Sequence, residues 1–477
     1  MTNKQLHYLI YGLSGLFILI NAILIANEFF WFMAIPLVGF LIYMYFTTLD
    51  KVLLLITFLT PLSITLSNYE AQLGLSLPTE PMMVAVLGLY FFKIIFQQDF
   101  DRKILIHPVS LSVIFYLLWM LITTITSEIP LVSIKFFVAK LWFIVPFYFL
   151  ATQVFKNIKN FKIFSWAYLI SLCIVIIYTT IKHSAYGFDE EIGHWIMDPF
   201  YNDHTAYGAM IAFFVPVVTG FLFDKTYSNV QRLFVFFTFV IIMVGLYLSY
   251  SRAAWLGIVA AAGIYAILKF KIKFKWVTLA GIVCLTLFLM LRTQIIMKLE
   301  KNKQDTSQNF TEHVQSISNI STDASNLERI NRWTSALRMF NERPFFGYGP
   351  GTYQFCYAPY QYSYEKTIIS TNAGNKGNAH SEYIGPLAET GVLGLLSVLA
   401  IAITTFLTAY KVYLKSTDKK VRFLSLIAFT SLVTYYIHGF LNNFLDTDKA
   451  SVPFWGFIAM IVALDVYHRD NTKEDII

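Results

Sequence analysis

The sequence is poor in charge. Of its 477 residues only 14% are Asp, Glu, Lys or Arg, while 57% are hydrophobic. An ordinary soluble domain carries about 25% charge and about 45–50% apolar residues. A water-soluble core is therefore excluded. Cysteine is scarce too. Cys173 and Cys284 lie inside apolar runs and Cys356 lies in a polar stretch. With no pairing and no ligand spacing, neither a disulfide framework nor a zinc site is supported. There is no repeat of 20–50 residues and no two-half symmetry of the transporter kind. The glycine-rich "GYGPGTY" (347–353) is not followed by Gly-Lys-Ser/Thr, so it is no phosphate-binding loop and reads as a turn. The first apolar run has no small-residue cleavage site after it and reads as a retained helix.

What the sequence does have is long apolar runs, with 45 Phe and 29 Tyr among them. Aromatic residues at this level suit bilayer-facing and interfacial surfaces. A spanning helix needs about 20 mostly apolar residues. Candidate spans fall near 8–26, 29–47, 52–66, 81–97, 108–126, 132–154, 162–182, 204–223, 231–250, 253–270, 275–292, 391–411, 421–440 and 452–468. The expected fold is an all-α polytopic membrane protein of about 14 transmembrane helices. The net charge of +7 does not point to nucleic acid, because the basic residues sit in short loops between apolar runs. Lys156, Lys159, Lys225, Arg232, Lys271, Lys415 and Lys420 mark one set of loops. The alternate short loops hold little beyond Arg252 and Lys449. The positive-inside rule puts the first set, and both termini, in the cytoplasm.

The chain then divides into residues 1–292 with about 11 helices, a large external loop at 293–390, and 391–477 with about 3 helices and a tail. The first half of that loop is rich in Ser, Asn and Gln. In its second half Leu327, Ile330, Trp333, Leu337 and Phe340 recur at helical spacing, and Pro344 ends the helix.

The unusual groups collect on the external side. "SYSRAAWLG" places Arg252 between two apolar helices, and "DPFYNDHTAYG" places Asp203 and His204 at the start of another. "HGFLNNFLDTDKAS" places His438, Asn442, Asn443, Asp446 and Lys449 at the end of a third, and "NAHSEY" adds His380 and Glu382. Each has a plainer reading. Arg252 can snorkel to headgroups, Asp203 can cap the next helix, and His438 can bond between helices. Lys135 can also snorkel, whereas Lys140 lies about two turns inside its helix, where a charge is a functional hypothesis by default. His380 reads as lying in the first turn of a helix, where the dipole lowers an imidazole pKa and leaves a neutral general base. A structural cap there would more often be Ser, Thr, Asp or Asn. Polar groups gathered on one side argue against a lipid-linked glycan transporter, which needs charges along a path through the membrane.

"LSYSRAAWLG", "ERINRWTSALRMFNERPFFGYGPGTY" and "NAHSEYIGPLAETGVLGLL", in this order, resemble the O-antigen ligase and polymerase superfamily of bacterial envelopes. The resemblance runs from about residue 200 to the end of the chain. It implies a membrane-embedded glycosyltransferase of GT-C type. Such an enzyme takes a glycan from undecaprenyl diphosphate on the periplasmic side of the inner membrane and moves it to an acceptor hydroxyl, inverting the anomeric centre. It implies no cofactor and no metal, and the sequence has no dinucleotide fingerprint and no clear external Asp-x-Asp pair. Carried over residue by residue, the family's loop histidine falls on His380. The arginine before the loop tryptophan falls on Arg329, with Arg332 nearby, and the arginine of the Ser-Arg motif falls on Arg252. These three motif positions are the expected catalytic residues. Arg332, Lys140, Lys135, Asp203, His204, Glu382 and Asn443 are the expected substrate contacts. The count of about 14 helices exceeds the 12 typical of the ligases. Ligation to lipid A–core leads; polymerisation of lipid-linked repeats and transfer to protein hydroxyls share the same donor chemistry.

Overall fold

A computed structural model describes residues 3–29, 31–65, 74–97, 101–272, 327–367, 370 and 377–469, with scattered positions between 275 and 291. Helices dominate it. They are α1 (Asn3–Ala26), α2 (Ile35–Thr47), α3 (Leu49–Leu59), α4 (Thr79–Gln97), α5 (Pro108–Ile125), α6 (Pro130–Val154) and α7 (Lys159–Ser184). There follow α8 (His204–Phe223), α9 (Asn229–Tyr247), α10 (Arg252–Lys269), α11 (327–342), α12 (Ile384–Lys415), α13 (Lys419–His438) and α14 (Asp448–His468).

Among the described residues ten helices are long and apolar enough to cross a membrane: α4 to α10 and α12 to α14. All ten coincide with expected spans. The expected spans near 29–47 and 52–66 fall on helices of 13 and 11 residues. At 1.5 Å per residue, α3 covers about half of a bilayer core. It stops because Pro61 enters a tight turn at Thr60–Leu62. A small antiparallel hairpin follows, pairing Ile64 with Leu77 and Thr65 with Ser76. The expected span near 275–292 and the polar segment 293–326 lie largely or wholly outside the described residues.

Local chemistry sets the helix ends. Pro108 and Pro130 open α5 and α6 at the position where the missing N–H costs nothing. Ser228 and Gln231 form a reciprocal capping box on α9. Inside α6, Pro146 cannot donate, and the ladder widens to a π turn over Val145–Leu150. The core is centred on α8, α13 and α14. Buried residues make up 83% of the α14 span but 17% of the α10 span, so α10 turns most of its surface outward. Gly257 lets α10 close on the backbone of α13, since a Cβ there would lie 2.7 Å from the Thr434 carbonyl oxygen.

Two expectations change. Helix α12 begins at Ile384, ahead of the expected 391, because a helical turn precedes a kink at Gly391, where φ is +71°. And α11 does not bury the apolar face that its spacing suggests. Leu337 and Ile330 are exposed, while Glu328, Asn331, Arg332, Ser335, Ala336 and Met339 are buried. The buried polar groups find partners inside. Asn331 donates to Gln361 at 2.8 Å and Arg332 pairs with Glu328 at 2.8 Å. A second, smaller core forms there from Ala336, Met339, Tyr353, Tyr357, Ala379 and Ala388.

Candidate active site around His380

The turn before α12 is built to hold a strained residue. His380 has φ +47°, a left-handed conformation that costs a side-chain-bearing residue about 1–3 kcal/mol. It is held from both sides. Asn378 Oδ1 accepts from the His380 amide at 3.1 Å, and Arg332 donates to the Asn378 carbonyl at 3.2 Å. After it, Ser381 Oγ accepts from the amides of Tyr383 and Ile384, which makes Ser381 the helix cap. The Glu382 amide donates to the Gly439 carbonyl at 2.8 Å. Glu382 Oε1 accepts from Tyr435 Oη and from the amides of Phe444 and Leu445, at 2.6–2.9 Å.

His380 therefore lies four residues ahead of α12 rather than in its first turn. The dipole is not the main influence on it. Burial lowers its pKa to about 3, with help from the Arg332 and Arg329 guanidiniums and against the pull of Asp203. The imidazole is neutral and makes no hydrogen bond among the described residues.

Around that imidazole the external ends of several helices converge. Arg329, on α11, donates from Nε to the Leu441 carbonyl at 3.2 Å in the turn after α13. Burial lowers its pKa and Asp203 opposes the shift. Asp203 caps α8: its Oδ1 accepts from the amides of Thr205 at 2.7 Å and Ala206 at 2.8 Å. The bland reading of Asp203 is correct as geometry, yet its charge also reaches Arg329 and His380. His204 stacks on His194 with ring centroids 4.1 Å apart. His438 is buried and bonds Asn442 at 3.1 Å. Arg252 is the first residue of α10; it is exposed and makes no polar contact among the described residues.

The other expected contacts are placed differently. Arg332 is buried, paired with Glu328, bonded to Asn378 and stacked over Tyr357. It supports the His380 turn and has little left to offer a ligand. Lys140 is buried and bonds both Asp446 Oδ1 and the Leu445 carbonyl at 2.8 Å. Its charge is already matched. Lys135 is exposed on the outer face of α6. Glu382, Asn443, Lys140 and Asp446 line a cavity of about 330 Å3 that also touches Asn378, Ala379 and Ser381, though not His380 itself.

The sequence leaves the role of Glu389 open between orienting His380 and capping or packing, and two ion pairs were not expected from it. Glu389 grips the glycine-rich turn, accepting from the Gly351 amide at 2.9 Å and the Tyr353 amide at 3.0 Å. Gly349 donates to the Glu389 carbonyl at 2.7 Å, and Val392 donates to the Pro344 carbonyl at 2.9 Å. The kink at Gly391 frees the Thr390 carbonyl for Trp119. "GYGPGTY" is thus a plug docked into a broken helix, and "ETG" is its socket. The Glu328–Arg332 pair had a legible signal in its i, i+4 spacing. The Lys140–Asp446 pair had none, because its partners stand about three hundred positions apart. Among the described residues no group of three or more His, Cys, Asp and Glu side chains is arranged to hold a metal ion.

Comparison with known proteins bears on the same segment. Residues 237–399 match the family model described as O-antigen ligase. An uncharacterized protein of Haemophilus influenzae is 22% identical over 270 residues. That match covers 53% of this chain and 61% of the relative's length. The matched segment 237–399 holds Arg252, Arg329, Arg332, His380, Glu382 and Glu389, and the match supports the O-antigen ligase and polymerase superfamily.

Proposed function

We propose that the chain is a glycosyltransferase of the O-antigen ligase kind. It moves a glycan from undecaprenyl diphosphate to a hydroxyl of lipid A–core at the periplasmic face of the inner membrane. The observation that carries this reading is a neutral imidazole without a hydrogen bond among the described residues, held in a strained turn beside half-buried Arg329.

The reaction forms a bond between the acceptor oxygen and the anomeric carbon and breaks the bond from that carbon to the diphosphate oxygen. Negative charge grows on the leaving oxygen. Guanidinium groups stay charged at any physiological pH and match phosphate in a fork. Arg329 takes that role, joined by Arg252 from the exposed start of α10, and together they stabilise the charge without a divalent ion. His380 accepts the proton of the attacking hydroxyl, and the glycan inverts at its anomeric carbon.

A base with a pKa of about 3 is weak; burial is the main cause, and the Arg332 and Arg329 guanidiniums add to it. A bound diphosphate supplies the opposite charge and raises the imidazole toward working pH. The donor thus switches on its own base. This ordering disfavours proton uptake before the donor is seated.

Purified protein given undecaprenyl-diphosphate-linked oligosaccharide and lipid A–core tests the reading. Transfer that persists in EDTA and disappears in His380→Ala and Arg329→Ala supports it. Full transfer by His380→Ala, Arg329→Ala and Arg252→Ala alike overturns the residue assignment. Deletion of the gene separates the acceptors. Loss of long-chain lipopolysaccharide with lipid-linked polymer accumulating marks a ligase. Single-repeat lipopolysaccharide marks a polymerase, and intact lipopolysaccharide with unglycosylated proteins marks a protein transferase.

A further inference from the structure

The cavity on the far side of the His380 turn has the opposite chemistry to the Arg329 side. It is lined by one lysine and three carboxylates: Lys140 against Asp446, Glu382 and Glu389. Lys140 is consumed by Asp446 Oδ1 at 2.8 Å. Glu389 spends both oxygens on the glycine-rich turn. The remaining polar atoms include several acceptors without partners among the described residues, beside the side-chain amides of Gln354, Asn378 and Asn443. Glu382 uses only Oε1 in its three bonds, which leaves Oε2 open. Asp446 has Oδ2 to spare, Asn443 Oδ1 is buried with no partner, and the Tyr116 hydroxyl makes no hydrogen bond. Phe136 and Tyr353 supply apolar walls. At about 330 Å3 the cavity lies in the size range of small-molecule sites, about 300–1,000 Å3.

An array of unpaired acceptors calls for a ligand rich in donors. Buried polar atoms left unmatched cost about 1–3 kcal/mol each. An anion would meet the Asp446 carboxylate, and the single lysine is already paired with it. A diphosphate is excluded on the same ground and belongs with Arg329. Hydroxyl groups donate, and the apolar faces of a sugar ring suit aromatic walls. Asn378, Ala379 and Ser381 carry the cavity to both sides of His380, so its occupant adjoins the reacting position.

We propose that this cavity is a saccharide subsite that accepts neutral or amine-bearing sugar units and rejects carboxylated ones. The proposal deepens the glycosyltransferase reading and rests on it for its role in transfer. Binding itself is measurable apart from transfer.

The test uses the full chain in an amphipol, free of sugar-headed detergent, with tri-N-acetylchitotriose and trigalacturonate as probes in saturation-transfer NMR. Gly385→Leu fills the cavity, since Gly385 lines it and a Cβ there meets only the Ala379 Cβ at 3.7 Å. Asn443→Ala removes one acceptor and guards against misfolding of the first variant. The expected result is a signal from the neutral trimer and at least a tenfold weaker one from the acidic trimer. Gly385→Leu loses the neutral signal at least tenfold and Asn443→Ala loses it severalfold. Asp446→Asn narrows the discrimination against trigalacturonate. Equal signals from both probes, no signal from the neutral one, or a neutral signal untouched by both variants overturns the subsite. Wild-type protein that transfers lipid-linked glycan while failing these arms sinks only the subsite. Protein that passes them yet never transfers from a polyprenyl diphosphate sinks the glycosyltransferase reading and leaves a saccharide site.

Discussion

The two sides of the His380 turn are built on opposite principles. On the Arg329 side, charge is concentrated around an imidazole that has no partner. On the Lys140 side, the cation is paired, and the open atoms include carboxylate and amide acceptors. The contrast recurs within a single helix. Arg332 is three positions from Arg329, yet its guanidinium is occupied by Glu328, the Asn378 carbonyl and the Tyr357 ring. The lesson is that an arginine's role follows from what faces it. Arg332 faces a buried carboxylate and serves the architecture, whereas the field of Arg329 falls on the His380 imidazole.

The largest effect that sharpens this contrast is His380→Ala. Loss of a general base costs typically 10²- to 10⁴-fold. We expect that loss in kcat with the melting temperature little changed, since alanine keeps the Cβ that strains φ +47° and only His380→Gly would relieve it. Arg329→Ala comes next, at about 10²- to 10³-fold if it stabilises developing charge. Arg329→Lys should recover little, because an ammonium lacks the fork. Recovery of full activity by lysine at 329 would break the assignment of that side.

Arg332→Ala should act on stability instead. It leaves Glu328 buried without its cation, at a cost of about 3–5 kcal/mol. The double variant Glu328→Gln with Arg332→Met removes both charges and should regain most of the melting temperature. If the double variant is stable, activity becomes the discriminating readout. A kcat near wild type places Arg332 in the architecture, and a kcat as low as in Arg329→Ala would move it to the phosphate side.

A smaller effect lies in the acid limb of stability. His380 has a pKa of about 3 when folded and 6.5 as its ordinary value. Between these pH values the unfolded chain binds the extra proton, so stability rises with pH through that window and its full contribution is present above 6.5. The slope from one such group is at most about 1.4 kcal/mol per pH unit. His380→Gln should flatten it, seen as a smaller difference in melting temperature between pH 4.5 and pH 7.5. An unchanged difference would mean that His380 is hydrated and exposed in solution.

Much of this was readable in advance, and the failures have physical causes. Length and apolarity were enough for α4 to α10 and α12 to α14, because a bilayer imposes one length on whatever crosses it. They misjudged α2 and α3, where apolar residues continue past a helix that Pro61 ends. Asp203 was legible as a cap because capping is local. His380 was legible as a candidate, but its expected surroundings were incomplete. The sequence suggests a dipole, whereas the depressed pKa comes from burial and from arginines brought in by α11. The buried polar face of α11 was invisible, since its partners Gln361, Tyr353 and Tyr357 come from beyond the glycine-rich plug. Amphipathic spacing reports which face is apolar, and it reports burial only where the neighbour is apolar as well.

The smallest effect separates two lysines of α6. Lys140 is buried and holds Asp446, while Lys135 is exposed on the same helix with no polar partner among the described residues. Lys140→Met frees Asp446, but that carboxylate is 41% exposed and can hydrate. Solvent screening then keeps the cost to about 1 kcal/mol. Lys135→Ala removes a side chain that touches neither chamber, so transfer should fall less than about twofold, within the range of surface substitutions. A tenfold loss from Lys135→Ala, with stability intact, would mean that charge on the outer face of α6 handles substrate. The division of labour around His380 would then extend beyond the two chambers to the outer surface of α6.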